Sequence, residues 1–171
     1  MLCPIMLIRT MQEQDWAHVA NILREGIDTG IATFQLEVPT YDQWNATHLV
    51  PCRMVAELPG QDIVGWAALS AVSSRVAYRG VAELSIYVGT RYRRQGIGHT
   101  LLSHLIVESE KAGFWTLQAV ILSANEASLA LHLGCGFRVV GMRERIGRLA
   151  DGRWSDTLLL ERRSSNPDYL S

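Results

Sequence analysis

Between Val81 and Val88, Leu84, Ile86 and Val88 alternate with polar or aromatic positions, the period of a strand with one buried face. Downstream, Leu101, Leu102, Leu105 and Ile106 recur at helical spacing, which predicts a helix from near Gly98 to about Ala112. The same reading gives a strand over Ile5 to Thr10 and a helix over Asp15 to Glu25. In that helix Trp16, Val19, Ala20 and Leu23 share one face, and Gly26 stands near the end. A loop over Thr29 to Pro39 leads to a short helix around Tyr41 to Leu49. Met54 to Glu57 and Asp62 to Val72 read as a hairpin turning at Pro59-Gly60. After the central helix come a strand over Trp115 to Leu122 and a short helix from Glu126 to Leu133 that stops at Gly134. Two closing strands, Phe137 to Met142 and Ser155 to Arg162, flank a turn at Asp151-Gly152, and a polar, loose tail begins at Ser164. This α/β order predicts a mixed sheet flanked by helices.

The turn between the central strand and helix, residues 91–102 (RYRRQGIGHTLL), carries the clearest chemistry. Gly96 and Gly98 are free to take positive φ and bring backbone N–H groups close to a ligand. The helix start adds unpaired N–H groups and a positive dipole end, and Arg91, Arg93 and Arg94 add charge there. These features describe a polyphosphate site. The loop lacks the Gly-Lys-Ser/Thr ending of a P-loop. It also lacks the third glycine of a dinucleotide fingerprint, because His99, Thr100 and Leu101 follow Gly98.

Composition narrows the class. A chain of 171 residues, 48% hydrophobic and 19% charged, reads as one soluble globular domain. A net charge of −1 gives no bulk electrostatic case for a nucleic-acid partner. No apolar run approaches the roughly 20 residues of a membrane span. The apolar start has no basic region or cleavage pattern, and Met6 serves equally as the first residue. Cys3, Cys52 and Cys135 fit neither an even disulfide count nor a zinc spacing, so they read as reduced thiols in a cytoplasmic protein. Cys135 has no base near it in sequence and reads as a small buried residue rather than a nucleophile.

A second constellation follows the next strand. Asn125 is suited to cap a helix, and Ser128 and His132, four residues apart, share one helix face ahead of Gly136-Phe137. Arg93-x-x-Gly96-x-Gly98 resembles the acyl-CoA signature of the GNAT superfamily of N-acyltransferases. Further matches are Ala32-Thr33-Phe34, Ala77-Tyr78, residues 82–88 (AELSIYV), residues 125–128 (NEAS), Leu131-His132 and residues 152–156 (GRWSD). Together, over roughly residues 7–162, they resemble the phosphinothricin/methionine-sulfone acetyltransferase branch. Leu133-Gly134-Cys135 and Gln35 depart from that pattern, the latter where an acidic residue is common. The resemblance implies a GNAT fold, with a central mixed and mostly antiparallel sheet, over residues 1–163, and a tail over 164–171.

It also implies acetyl-CoA as co-substrate, held by Ile86, Tyr87, Val88, Arg93, Arg94, Gln95, Gly96, Ile97, Gly98, His99, Asn125 and Ser128. No metal is required. A carboxylate beside the acceptor amine acts as base, and Glu83, alternating away from Leu84, is the candidate. His132 is the candidate to protonate or stabilise the leaving thiolate. Phe34, Arg75, Tyr78, Trp154 and Asp156 are the candidates for substrate recognition, with Arg75 or Arg79 able to bind a carboxylate bidentately. A solvated strand glutamate, a packed helical histidine and surface arginines are the plainer readings of the same residues. Analogy implies a homodimer acting on a small-molecule amine, with neither nucleic-acid nor membrane partner. Acetylation of a protein N-terminus, lysine or polyamine, and a non-catalytic acyl-CoA sensor, remain the alternatives.

Overall fold

The computed structural model describes residues 6–60 and 63–169. Cys3, Ile5 and Asp62, on which expectations fell, lie outside them. Seven strands among these residues form one sheet: β1 (Leu7–Thr10), β2 (Met54–Glu57), β3 (Ile63–Ala71), β4 (Val81–Val88), β5 (Thr116–Leu122), β6 (Arg138–Arg148) and β7 (Trp154–Arg163). The helices are α1 (Trp16–Asp28), α2 (Tyr41–Thr47), α3 (Ile97–Lys111) and α4 (Glu126–Gly134). Spatial order is β1-β2-β3-β4-β5-β7-β6, and each neighbouring pair is antiparallel except β4 with β5. The mixed, mostly antiparallel sheet expected from the sequence is present.

Each sheet face is covered by helices whose apolar stripe dictates the packing. Leu101, Leu102 and Leu105 of α3 are fully buried with Leu69, Leu84, Leu117 and Ile121. Burying each such leucine is worth about 1.5–3 kcal/mol. On the opposite face Val19 and Leu23 of α1 and Trp44 of α2 pack on Val55, Trp66 and Ala68. Thr40 caps α2, accepting from Gln43 N while the Gln43 side chain accepts from Thr40 N, a reciprocal capping box.

Four local expectations are corrected. α1 continues past Gly26 to Asp28, because Gly26 marks a close approach rather than a stop: a Cβ there would lie 2.6 Å from Cε1 of Tyr87. α2 ends at Thr47, ahead of an extended His48. β6 runs on through Arg148, well past Met142, as an exposed edge strand whose polar residues and bulge break the apolar alternation. The tail folds back as far as Tyr169. Ser164 N donates to Trp115 O, Tyr169 Oη donates to Glu110 O, and the Tyr169 ring lies 6.1 Å from that of Trp115.

The irregularity that matters most lies at the sheet centre. β4 pairs with β5 only over Val81 to Glu83 against Thr116 to Gln118. Beyond Glu83, β4 stays with β3 and β5 with β7. The two parallel strands therefore part, and the gap is bounded by β4, β5 and the first turns of α3 and α4. Among the described residues no helix is long and apolar enough to cross a membrane.

Candidate active site

One cavity, of about 530 Å³, opens between the parted β4, the basic loop and α4. Arg94 at φ 61° and Gly96 at φ 79° turn the backbone tightly ahead of α3. Gly98 lies inside the helix instead of taking the positive φ expected of it. Its missing Cβ serves packing, since one would stand 3.3 Å from Cδ2 of Leu131 on α4. First-turn N–H groups of α3 lack intrahelical acceptors and carry the positive end of the helix dipole toward this cavity. Arg93 is steadied by donating from Nε to Val88 O at 3.3 Å. Of the residues expected to hold the donor molecule, Ile86, Tyr87, Val88, Arg93, Arg94, Gly96, Gly98, His99, Asn125 and Ser128 line the cavity. Ile97 is instead a core residue, and Gln95 turns back to donate to Arg91 O.

A second cavity, of about 260 Å³, adjoins the first and shares Ile86, Tyr87, Asn125 and Ser128 with it. Glu83 and His132 both line it. Burial pushes the Glu83 carboxyl above its ordinary range, and the positive charge of Arg143 partly opposes the shift. Tyr87 forms the wall between the cavities, stacked on Trp66 at a ring separation of 5.0 Å and seated over Gly26.

His132 is 2% exposed and packs edge-on against Phe137 at 5.2 Å. Its Nδ1 lies 2.7 Å from Ser128 O, and a carbonyl only accepts, so Nδ1 carries the proton. Burial holds the imidazole pKa below its usual value, which keeps the ring neutral at pH 7. Nε2 is then a bare acceptor, buried and without a hydrogen-bond partner. In this tautomer it has no proton to give a thiolate.

Of the residues expected to recognise substrate, only Phe34 lines this second cavity. Its ring lies over Gly147, where a Cβ would approach Cζ to 2.8 Å. Arg75 and Tyr78 belong to a short exposed turn and line neither cavity, and Arg79 lies over the Trp115 ring at 5.9 Å. Trp154 carries the Arg148 guanidinium on its face at 4.5 Å. Asp156 is structural in position: its Oδ1 accepts from Arg145 N at 2.7 Å, closing the bulge where β6 skips register between Arg143 and Gly147.

That bulge exposes what sequence reasoning missed. An outer cavity of about 380 Å³, lined by Arg143, Ile146, Gly147 and Arg148, shares Phe34, Val120 and Thr157 with the Glu83 cavity. Nothing in the local pattern marked Arg143 or Thr157, because a bulge and a cross-strand register brought them in.

Cys52 and Cys135 are free and half-buried, and burial raises both thiol pKa values, that of Cys52 to about 11, so neither is poised as a thiolate. Among the described residues no group of three or more His, Cys, Asp or Glu is placed to hold a metal ion.

Residues 16–137 match the family model described as Acetyltransferase (GNAT) family. Phosphinothricin N-acetyltransferase of Alcaligenes faecalis is 33% identical over 162 residues, covering 91% of this chain and 81% of that protein. A solved phosphinothricin acetyltransferase from Sinorhizobium meliloti, in complex with AcCoA, superposes with a TM-score of 0.83 at 31% identity, covering 92% of this chain and 88% of that one. The ribosomal-protein-alanine N-acetyltransferase from Brucella melitensis gives a TM-score of 0.83 at 30% identity, covering 92% and 99%.

Proposed function

The chain belongs to the acetyltransferase (GNAT) family, and from that premise we propose that it moves the acetyl group of acetyl-CoA to the amine of a small amino acid or analogue, of the phosphinothricin or methionine-sulfone type. The observation that carries this is the pair of adjoining cavities, one at the basic loop and helix start, the other holding Glu83. In this reading the CoA pyrophosphate lies against Arg93, Arg94 and the α3 N-terminus. The thioester reaches the shared wall at Ile86, Tyr87, Asn125 and Ser128. An ammonium must lose a proton before it attacks, and Glu83, whose proton affinity burial raises, takes it. The amine nitrogen then bonds to the acetyl carbon, the C–S bond breaks, and the second proton shed by the nitrogen passes through solvent to the leaving thiolate. His132 enters as an acceptor orienting the amine through Nε2, rather than as the acid anticipated from its position. Support for the acceptor class comes from the relatives' names and from a small, walled cavity.

A second reading, acetylation of a protein N-terminus, draws on the Brucella melitensis structure named for ribosomal-protein alanine. The decisive experiment follows thiol release from acetyl-CoA with free amino acids, methionine sulfone, methionine sulfoximine and phosphinothricin, beside alanine-ended peptides and polyamines. Efficient turnover of the small acids is the expected outcome. Turnover confined to peptides or polyamines replaces this proposal with the second reading.

A further inference from the structure

Thr157 is 1% exposed, yet its hydroxyl has no hydrogen-bond partner. A buried hydroxyl left unpaired costs about 1–3 kcal/mol, and a ligand group in the adjoining cavity would remove that cost. Thr157 lines both the Glu83 cavity and the outer cavity beside it. Register fixes what stands next to it. Glu83 is paired with Gln118, and Val120 and Leu122 follow on the same face of β5. Leu122 is opposite Thr157, and Thr157 is opposite Arg143. Residues directly opposite in a ladder project to the same side. Glu83, Thr157 and Arg143 therefore share one sheet face, with Phe34 lying over it and against Gly147. Arg143 makes no ion pair with a carboxylate among the described residues. It lines the outer cavity that shares Phe34, Val120 and Thr157 with the Glu83 cavity, and its charge is felt at Glu83.

We propose that Thr157 and Arg143 form the subsite for the acceptor's carboxylate. This rests on the amino-acid reading above and replaces the arginine expected from sequence, Arg75, which lines neither cavity. The chemistry is complementary. A carboxylate offers two acceptor oxygens, to which Arg143 presents paired N–H donors and Thr157 an O–H donor. In an α-amino acid one carbon separates that carboxylate from the amine, so anchoring it on Thr157 keeps the amine within the cavity that Glu83 lines. The bulge closed by Asp156 is the device that carries β6 past this site, and Gly147 leaves the space that Phe34 fills.

The test compares L-methionine sulfone with its carboxamide, which keeps the amine and loses the charge. In R143Q the KM for the acid should rise about 10- to 100-fold, the worth of hydrogen bonds to a charged group. The amide and acetyl-CoA should keep their KM values, so the preference for acid over amide disappears. The isosteric T157V should raise the acid's KM about 2- to 10-fold through loss of one hydroxyl. R153Q, which removes an exposed charge elsewhere on the hairpin, should change neither. If wild type prefers the acid and both variants retain that preference, or if Arg75→Gln alone abolishes it, this subsite is overturned and the amino-acid reading survives. A wild-type protein that acetylates neither phosphinothricin nor methionine sulfone overturns both.

Discussion

At the scale of single residues, the two groups nearest the proposed chemistry are tuned in opposite directions by one cause. Burial disfavours charge, which lifts Glu83 above 4.5 and lowers His132 below 6.5. A base works only when deprotonated, so activity should fall as pH drops through the raised Glu83 pKa. The acidic limb of kcat/KM is therefore expected above the ordinary carboxylate range. E83Q should keep acetyl-CoA affinity, lose about 10²- to 10⁴-fold in rate at neutral pH, and recover toward wild type as rising pH deprotonates the amine itself. Stability separates this from damage to the fold. A carboxyl with a raised folded-state pKa contributes stability that is present below its unfolded value and is lost as pH rises through the folded value. Removing the charge should therefore not lower Tm at neutral pH. A pH–rate profile with a melting curve at each point checks both halves, and a Gln variant as fast as wild type at pH 7 removes Glu83 from the mechanism.

At the scale of elements, the strand–loop–helix at residues 81–111 shows how far pattern alone reaches. Its strand boundaries, its basic loop and its buried leucines were legible because each rests on local periodicity and turn chemistry. The role of Gly98 was legible only in part: a glycine was required, but by the α3–α4 contact with Leu131 rather than by a positive φ. Gly98→Val should thus drive a side chain into that contact at the cavity wall, costing about 1–3 kcal/mol of stability and weakening acetyl-CoA binding at least about tenfold. Calorimetry on the folded variant checks this, and unchanged affinity contradicts the assignment of the loop to CoA. The recognition residues were less legible for a physical reason. Phe34 announces itself by a local motif. Arg143 and Thr157 meet through the β6–β7 register and a bulge, both products of tertiary pairing that no window of sequence contains. Trp154 and Asp156, singled out by motif, turn out to shape the same hairpin from outside the cavities.

At the scale of the whole molecule, β6 is an edge strand that, among the described residues, no strand pairs with on its outer side. Val139, Val140, Met142 and Ile146 are solvent-facing along it, with Trp154 on the adjoining β7. Met142 and Ile146 are 54% and 55% exposed. An edge strand carrying several large apolar side chains is an aggregation hazard unless something pairs with or covers it. Scattered surface leucines need no explanation, but these sit on one strand. We propose a second copy of the chain as that occupant, the homodimer that the family resemblance implies. Light scattering coupled to size exclusion should give a species of twice the 19.1 kDa chain. V140E/M142E places two charges where the dimer would bury apolar surface, and it should elute as a folded monomer with an unaltered Tm at high dilution. Since β6 also carries Arg143, the monomer's kinetics bear on the site. A loss of acid-over-amide preference on dissociation would mean that the interface holds the bulged hairpin in place, whereas an unchanged preference would mean that Asp156 and the β7 pairing hold it unaided. A wild-type protein that runs as a 19.1 kDa monomer at micromolar concentration contradicts the dimer outright.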